Sequence, residues 1–171
     1  METVCKTRAV APIPTTDKLA IYLNDHLAGA TAGVELARRV ARQNKGTAYY
    51  ETLEQLAAEV EDDRRALLEL MGRLSIGRDR LKVALAWGGE KAGRLKLNGE
   101  LVRYSPLSRL EELEILTLGV QGKLALWQAL NALDGSRLHG VDLDALIARA
   151  RSQARQLDRL RTRAAQEALA H

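Results

Sequence analysis

One histidine and three carboxylates stand out in this sequence as groups that can do chemistry together. Carboxylate oxygens and an imidazole nitrogen are suitable ligands for iron or another divalent metal. Asp63 lies on or beside the apolar stripe of a predicted helix, and Glu59 lies one turn earlier on the same side. His26 falls near the core stripe of another predicted helix. If these three side chains converge with Glu114, they form a site for a single metal ion.

The same groups can be satisfied without a metal. A buried histidine can pair with a buried aspartate, or the aspartate can pair with an arginine from the last predicted helix. Either arrangement gives the buried polar groups the hydrogen-bond or ion-pair partners that they need. We favour this interpretation, with no cofactor, because His26 is the only histidine on a long predicted helix.

A basic segment after the second predicted helix suggests an anion site. Trp87 and two glycines precede Lys91, Arg94 and Lys96, whose side chains can donate to an anionic ligand. The alternative, which we favour, is that Trp87 packs against the side of the bundle while the basic residues face solvent.

A second basic feature is a stripe of arginines. Arg151, Arg155 and Arg159 recur every four residues, which places them on one helix face. Phosphate or nucleic-acid contact is one interpretation, and a solvated or salt-bridged surface is the simpler one. This helix has no aromatic residues that could stack on bases, so nucleic-acid binding is disfavoured, although it stays open as an interpretation.

Four glycines fall inside predicted helices, where each costs about 1 kcal/mol relative to alanine. They are Gly29, Gly33, Gly119 and Gly122. One explanation, which we favour, is the close approach of two helix backbones. The other is a cavity at the bundle centre that takes a small apolar ligand.

The composition is that of a folded, helix-rich protein. The 171 residues are 46% hydrophobic and 28% charged but only 4% aromatic, with a net charge of +4. This mix favours helices and excludes a disordered or fibrous chain. The only cysteine is Cys5, which excludes internal disulfides and cysteine-rich zinc modules. We expect no membrane helix, signal peptide or nucleophilic catalysis, and a cytoplasmic location.

Apolar periodicity predicts four long helices in one domain, residues 16–171, after an N-terminal tail, residues 1–15. Short connections make the first two helices antiparallel, and the last two as well. Residues 75–104 form a long crossover between the second and third helices, with a short predicted helix at about 79–95. The predicted boundaries are Thr16 and Asn44-Lys45-Gly46 for the first helix and Thr47 and Gly77 for the second. They are Ser105-Pro106 and Asp134-Gly135 for the third helix, and Asp142 and the C-terminal end for the fourth.

This layout resembles the ferritin-like superfamily of four-helix bundles, which have one long crossover. The resemblance extends from about residue 17 to residue 169. Active members hold two metal ions with one Glu from each of two helices and a Glu-x-x-His motif from each of the other two. This chain lacks that set, because Glu59 is followed three residues later by Asp62 and the fourth predicted helix has no Glu-x-x-His.

The sequence therefore predicts an all-α, ferritin-like four-helix bundle without a complete di-iron site. We expect a non-enzymatic binding or assembly protein, and a homodimer because the long helices expose broad faces. The first alternative is a metal-binding or ferritin-like redox protein with an atypical carboxylate and histidine site. The second is an anion- or nucleic-acid-binding protein.

Overall fold

Four long α-helices form the structure, a computed structural model that describes residues 17–79, 104–133, 138 and 140–170. The predicted all-α four-helix bundle is confirmed, and no β-strand occurs among these residues. The N-terminal tail, the predicted crossover helix beyond Asp79, and Lys91, Arg94 and Lys96 lie outside the described residues. The helices are α1 (Asp17–Gln43), α2 (Tyr50–Arg73), α3 (Pro106–Asn131) and α4 (Leu143–Leu169).

The N-terminal ends of α3 and α4 are capped as the sequence predicts. The Ser105 side chain accepts a hydrogen bond from the Ser108 backbone nitrogen at 3.1 Å, and Pro106 takes the first helical position. The Asp142 side chain accepts from the Ala145 nitrogen at 2.9 Å. Each cap bonds a backbone N–H that has no partner within its helix.

The start of α2 differs from the prediction that Thr47 caps it. The helix begins three residues later, at Tyr50, without a side-chain cap. The Thr47 hydroxyl instead donates to the Asn44 carbonyl at 2.7 Å and accepts from the Tyr49 nitrogen at 3.2 Å. With Gly46 at φ +82°, these bonds close a tight turn that keeps Thr47 outside the helix.

Each helix packs against two neighbours. α1 lies beside α2 and α3, and α4 lies beside α3 and α2, so α2 and α3 are diagonal. Arg39, near the end of α1, pairs with Glu112, near the start of α3, at 3.0 Å. Arg109, near the start of α3, pairs with Glu167, near the end of α4, at 2.8 Å. Both contacts show antiparallel neighbours.

The diagonal helices α2 and α3 run parallel. The Arg109 guanidinium, near the start of α3, lies 4.5 Å from the centre of the Tyr49 ring, just before α2. Fourteen residues further along each helix, from 109 to 123 and from 49 to 63, Lys123 contacts Asp63. Parallel α2 and α3 require the chain to return along the bundle between them, as a long crossover does.

A polar layer divides the apolar core into two clusters. The first cluster includes Leu56 and Leu157, and the second includes Leu70 and Leu130. At the level between them, hydrogen bonds join five polar side chains of α2, α3 and α4. We call these residues the polar layer: Glu59, Asp63, Lys123, Arg149 and Gln153.

α3 carries apolar side chains on its outer face as well as its inner face. Leu107 is 43% exposed and Leu118 is 72% exposed. Among the residues described here, however, no helix is both long enough and apolar enough to cross a membrane.

Two buried asparagines hold the ends of the crossover against α1. The Asn24 amide nitrogen donates to the Gly77 carbonyl at 3.0 Å, and its oxygen accepts from the Asp79 nitrogen at 2.7 Å. At the other end of α1, Asn44 Nδ2 donates to the Tyr104 hydroxyl at 2.8 Å. The chain leaving α2 and the chain entering α3 are therefore fixed at opposite ends of α1.

The Tyr104 hydroxyl gives the fold an alkaline pH dependence. Burial raises the pKa of Tyr104 from 10.0 to about 12, so the folded chain holds this proton more tightly than the unfolded chain. The resulting stability is fully present below about pH 10 and is lost as the pH rises towards about 12. We expect Tyr104→Phe to remove this part of the alkaline decline, measured by urea unfolding across that range. Identical pH slopes for the two proteins would contradict it.

Candidate ligand-binding pocket

Asp63 is the centre of the polar layer. It is 2% exposed, and its carboxylate accepts hydrogen bonds from side chains of two other helices. Lys123 of α3 donates to Oδ2. From α4, Arg149 Nε donates to Oδ1 at 2.7 Å, and Gln153 Nε2 donates to Oδ2 at 3.1 Å. Asp63 therefore ties α2 to both α3 and α4.

Gln153 extends the polar layer to Glu59. Its Oε1 accepts from Lys123 Nζ at 2.5 Å, and its Nε2 also donates to Glu59 Oε2 at 3.1 Å. Burial lowers the pKa of Lys123, while the Asp63 carboxylate acts in the opposite direction. The layer contains two carboxylates and two cations, so its formal charge is balanced. Pairing of this kind offsets the cost of removing ions from water.

The pairing of Asp63 with an arginine of the fourth helix, the metal-free alternative from the sequence, is confirmed by Arg149. Sequence reasoning missed Lys123. A signal for it was present, because Lys123 interrupts the apolar stripe of α3 between Val120 and Trp127. A lysine is seldom buried unless it is paired, so a lysine on the apolar stripe predicts a buried acidic partner.

The structure brings two of the four predicted metal ligands to one pocket. His26 and Asp63 both line it, while Glu59 is connected to Asp63 through Gln153. Glu114 is exposed on α3 and is not among the lining residues. In the described part of the chain, no group of three or more His, Cys, Asp or Glu side chains is placed to hold a metal ion.

The pocket has a volume of about 590 Å³ and opens between α1, α2 and α3 at the level of the polar layer. This volume lies in the usual range of small-molecule sites. Apolar groups form most of the wall, among them Leu36, Leu67 and Leu126. α1 contributes no large side chain between Gly29 and Gly33, and this absence opens the space.

All four glycines singled out in the sequence line this pocket. A Cβ atom added to Gly29, Gly33, Gly119 or Gly122 would meet no atom within 4 Å among the described residues beyond its own stretch of helix. The close approach of helix backbones, the favoured explanation from the sequence, is therefore wrong. The four glycines instead line an open pocket, in which Gly29 and Gly119 are exposed.

Polar groups interrupt the pocket wall at a few points. The His26 ring meets the Tyr22 ring edge-on, with centroids 4.6 Å apart. Burial lowers the pKa of His26, against the influence of the neighbouring Asp25. Trp127 is 1% exposed, and its indole nitrogen has no hydrogen-bond partner among the residues that the structure describes. The wall therefore includes a buried donor without an acceptor.

The arginine stripe belongs to a different surface. Arg151, Arg155 and Arg159 are all exposed on α4. Among the described residues, those that line the pocket belong to α1, α2 and α3. The stripe therefore takes no part in the pocket.

No protein-family model, curated protein or solved structure matches this chain. The function proposed below therefore rests on the geometry of the pocket and the polar layer.

Proposed function

We propose that this protein is a non-enzymatic binding protein whose central pocket holds a small, largely apolar molecule. The observation that carries this proposal is the set of four helical glycines that line a pocket instead of contacting a neighbouring helix. Each glycine costs about 1 kcal/mol relative to alanine. No contact among the described residues requires a glycine at these positions. A bound molecule that fills the space would require one, because a larger side chain would occupy the same space.

The proposal includes a ferritin-like bundle that has lost its metal site. Parallel α2 and α3, joined by one long crossover, support this relationship because ferritin-like folds have that connection. Lys123 and Arg149 already neutralise the Asp63 carboxylate, which a central metal ion would need as a ligand. A metal-binding or redox role is therefore the weaker alternative.

We also propose that the bundle acts as a homodimer in the cytoplasm. The exposed Leu107 and Leu118 side chains of α3, which are not among the lining residues of the pocket, support an interface there, since such residues gain from being covered. A single cysteine in 171 residues is typical of a reducing compartment.

Binding of a neutral apolar fluorophore, N-phenyl-1-naphthylamine, tests the pocket. We expect saturable fluorescence enhancement with the native protein and at least tenfold weaker binding by Gly33→Leu, because Gly33 lines the pocket and a Cβ there meets no described atom within 4 Å. Gly72→Leu is the matched control, because Gly72 is an exposed helical glycine of α2 outside the pocket with nothing near its Cβ position. Equal binding by all three proteins would show that the pocket is not the site.

A further inference from the structure

Two hydrogen-bond donors lie one turn apart on the α3 wall of the pocket. The Lys123 ammonium has three N–H groups, and its bonds to Asp63 and Gln153 use two of them. Trp127, four residues later, carries the buried indole N–H that has no partner among the described residues. Residues four apart share a helix face, with Cβ atoms about 5–6 Å apart. Of these two, the Trp127 indole N–H is the donor that makes no hydrogen bond among the described residues.

Among the described residues, the charges around the pocket are already balanced. Asp63 and Lys123 belong to the neutral polar layer, and the other charged residues in the lining, Asp25 and Arg64, have opposite signs. His26 is uncharged near neutral pH because burial lowers its pKa. A charged ligand would bring an unpaired charge against a largely apolar wall, which is unfavourable.

We infer that the ligand, whose existence rests on the proposed function, is an uncharged molecule with an apolar body and a single oxygen acceptor, such as a ketone. The oxygen accepts a hydrogen bond from the Trp127 indole N–H. The indole nitrogen is covered by its neighbours, so wall side chains must move to admit the oxygen. The apolar body lies along the bare helix surfaces at Gly29, Gly33 and Gly119.

Three compounds of nearly the same shape test this inference by titration calorimetry. 2-Acetylnaphthalene carries the ketone oxygen, 2-isopropenylnaphthalene replaces that oxygen by a methylene group, and 2-naphthoate carries a negative charge. We expect the ketone to bind about tenfold more tightly than the hydrocarbon and than the carboxylate, as one net hydrogen bond predicts. Trp127→Phe is expected to bring the ketone to the affinity of the hydrocarbon while leaving the hydrocarbon unchanged.

A second measurement does not depend on the variant folding. In the native protein, the NMR signal of the Trp127 indole proton should move downfield with the ketone and stay close to its free position with the hydrocarbon. Equal affinities for ketone and hydrocarbon would overturn the inference and leave the pocket as an apolar site. Tightest binding of the carboxylate would overturn it in favour of an anionic ligand. Binding of none of the three, together with no binding of N-phenyl-1-naphthylamine, would overturn both proposals.

Discussion

Asp63→Ala is expected to lower the free energy of unfolding by about 3–5 kcal/mol. Asp63 is 2% exposed and is the carboxylate on which Lys123 and Arg149 converge. Its removal leaves the Lys123 ammonium, whose side chain is 13% exposed, without its direct counter-ion. Breaking one side of a buried ion pair costs more than the pair contributes, because the remaining charge cannot regain its water.

Equilibrium urea unfolding followed by circular dichroism measures this loss, and the preceding residue provides the control. Asp62 forms a surface ion pair with Arg65, and both side chains are at least half exposed. Asp62→Ala is therefore expected to cost no more than about 1 kcal/mol. Replacing the layer by apolar residues, with Asp63→Leu, Lys123→Met and Arg149→Leu together, is expected to recover most of the loss. Equal effects of Asp62→Ala and Asp63→Ala would show that solvent reaches the layer.

The second large effect is a gain in stability. Replacing Gly29, Gly33, Gly119 and Gly122 together by alanine is expected to raise the free energy of unfolding by about 3 kcal/mol. Alanine is favoured over glycine by about 1 kcal/mol inside a helix, and the two close pairs are not fully additive. No atom of the described residues obstructs the added methyl groups. The same variant is expected to bind an apolar probe more weakly, because the methyl groups narrow the pocket.

Gly140→Ala provides the opposite control. Gly140 has φ +84°, and a Cβ there would lie 2.6 Å from Arg73 Nη1. This substitution is expected to lower stability by about 1 kcal/mol. Thermal and urea unfolding of both variants give the comparison. A loss of stability in the four-alanine variant would restore the explanation that the helix backbones approach each other closely.

The helices were predictable because their signals are local. Apolar residues at helical spacing mark each buried stripe, and a single residue such as Ser105 or Asp142 fixes the start of a helix. The start of α2 was missed because Thr47 has the right type for a cap. Its hydroxyl is used instead by the turn that begins at Asn44, and this competition involves residues outside the helix.

The site was predictable only in part, because it depends on contacts between distant residues. Asp63 was identified from its position on the stripe, together with an arginine of α4 as its possible partner. Lys123 and Gln153 are 60 and 90 residues away from Asp63 along the chain, so no local pattern connects the three. The glycines were recognised as costly. Whether they face a backbone or a cavity depends on the spacing of α1 and α3, which one sequence does not encode locally.

Asn24, two turns into α1, and Asn44, just after its end, also determine how far the crossover has to reach. Asn24 and Asn44 are twenty residues apart, which corresponds to about 30 Å along α1. The 24 residues from 80 to 103 have a contour length of roughly 80 Å when extended. The connection is therefore more than twice as long as the span between its fastening points. The length of this connection therefore does not limit the parallel arrangement of α2 and α3.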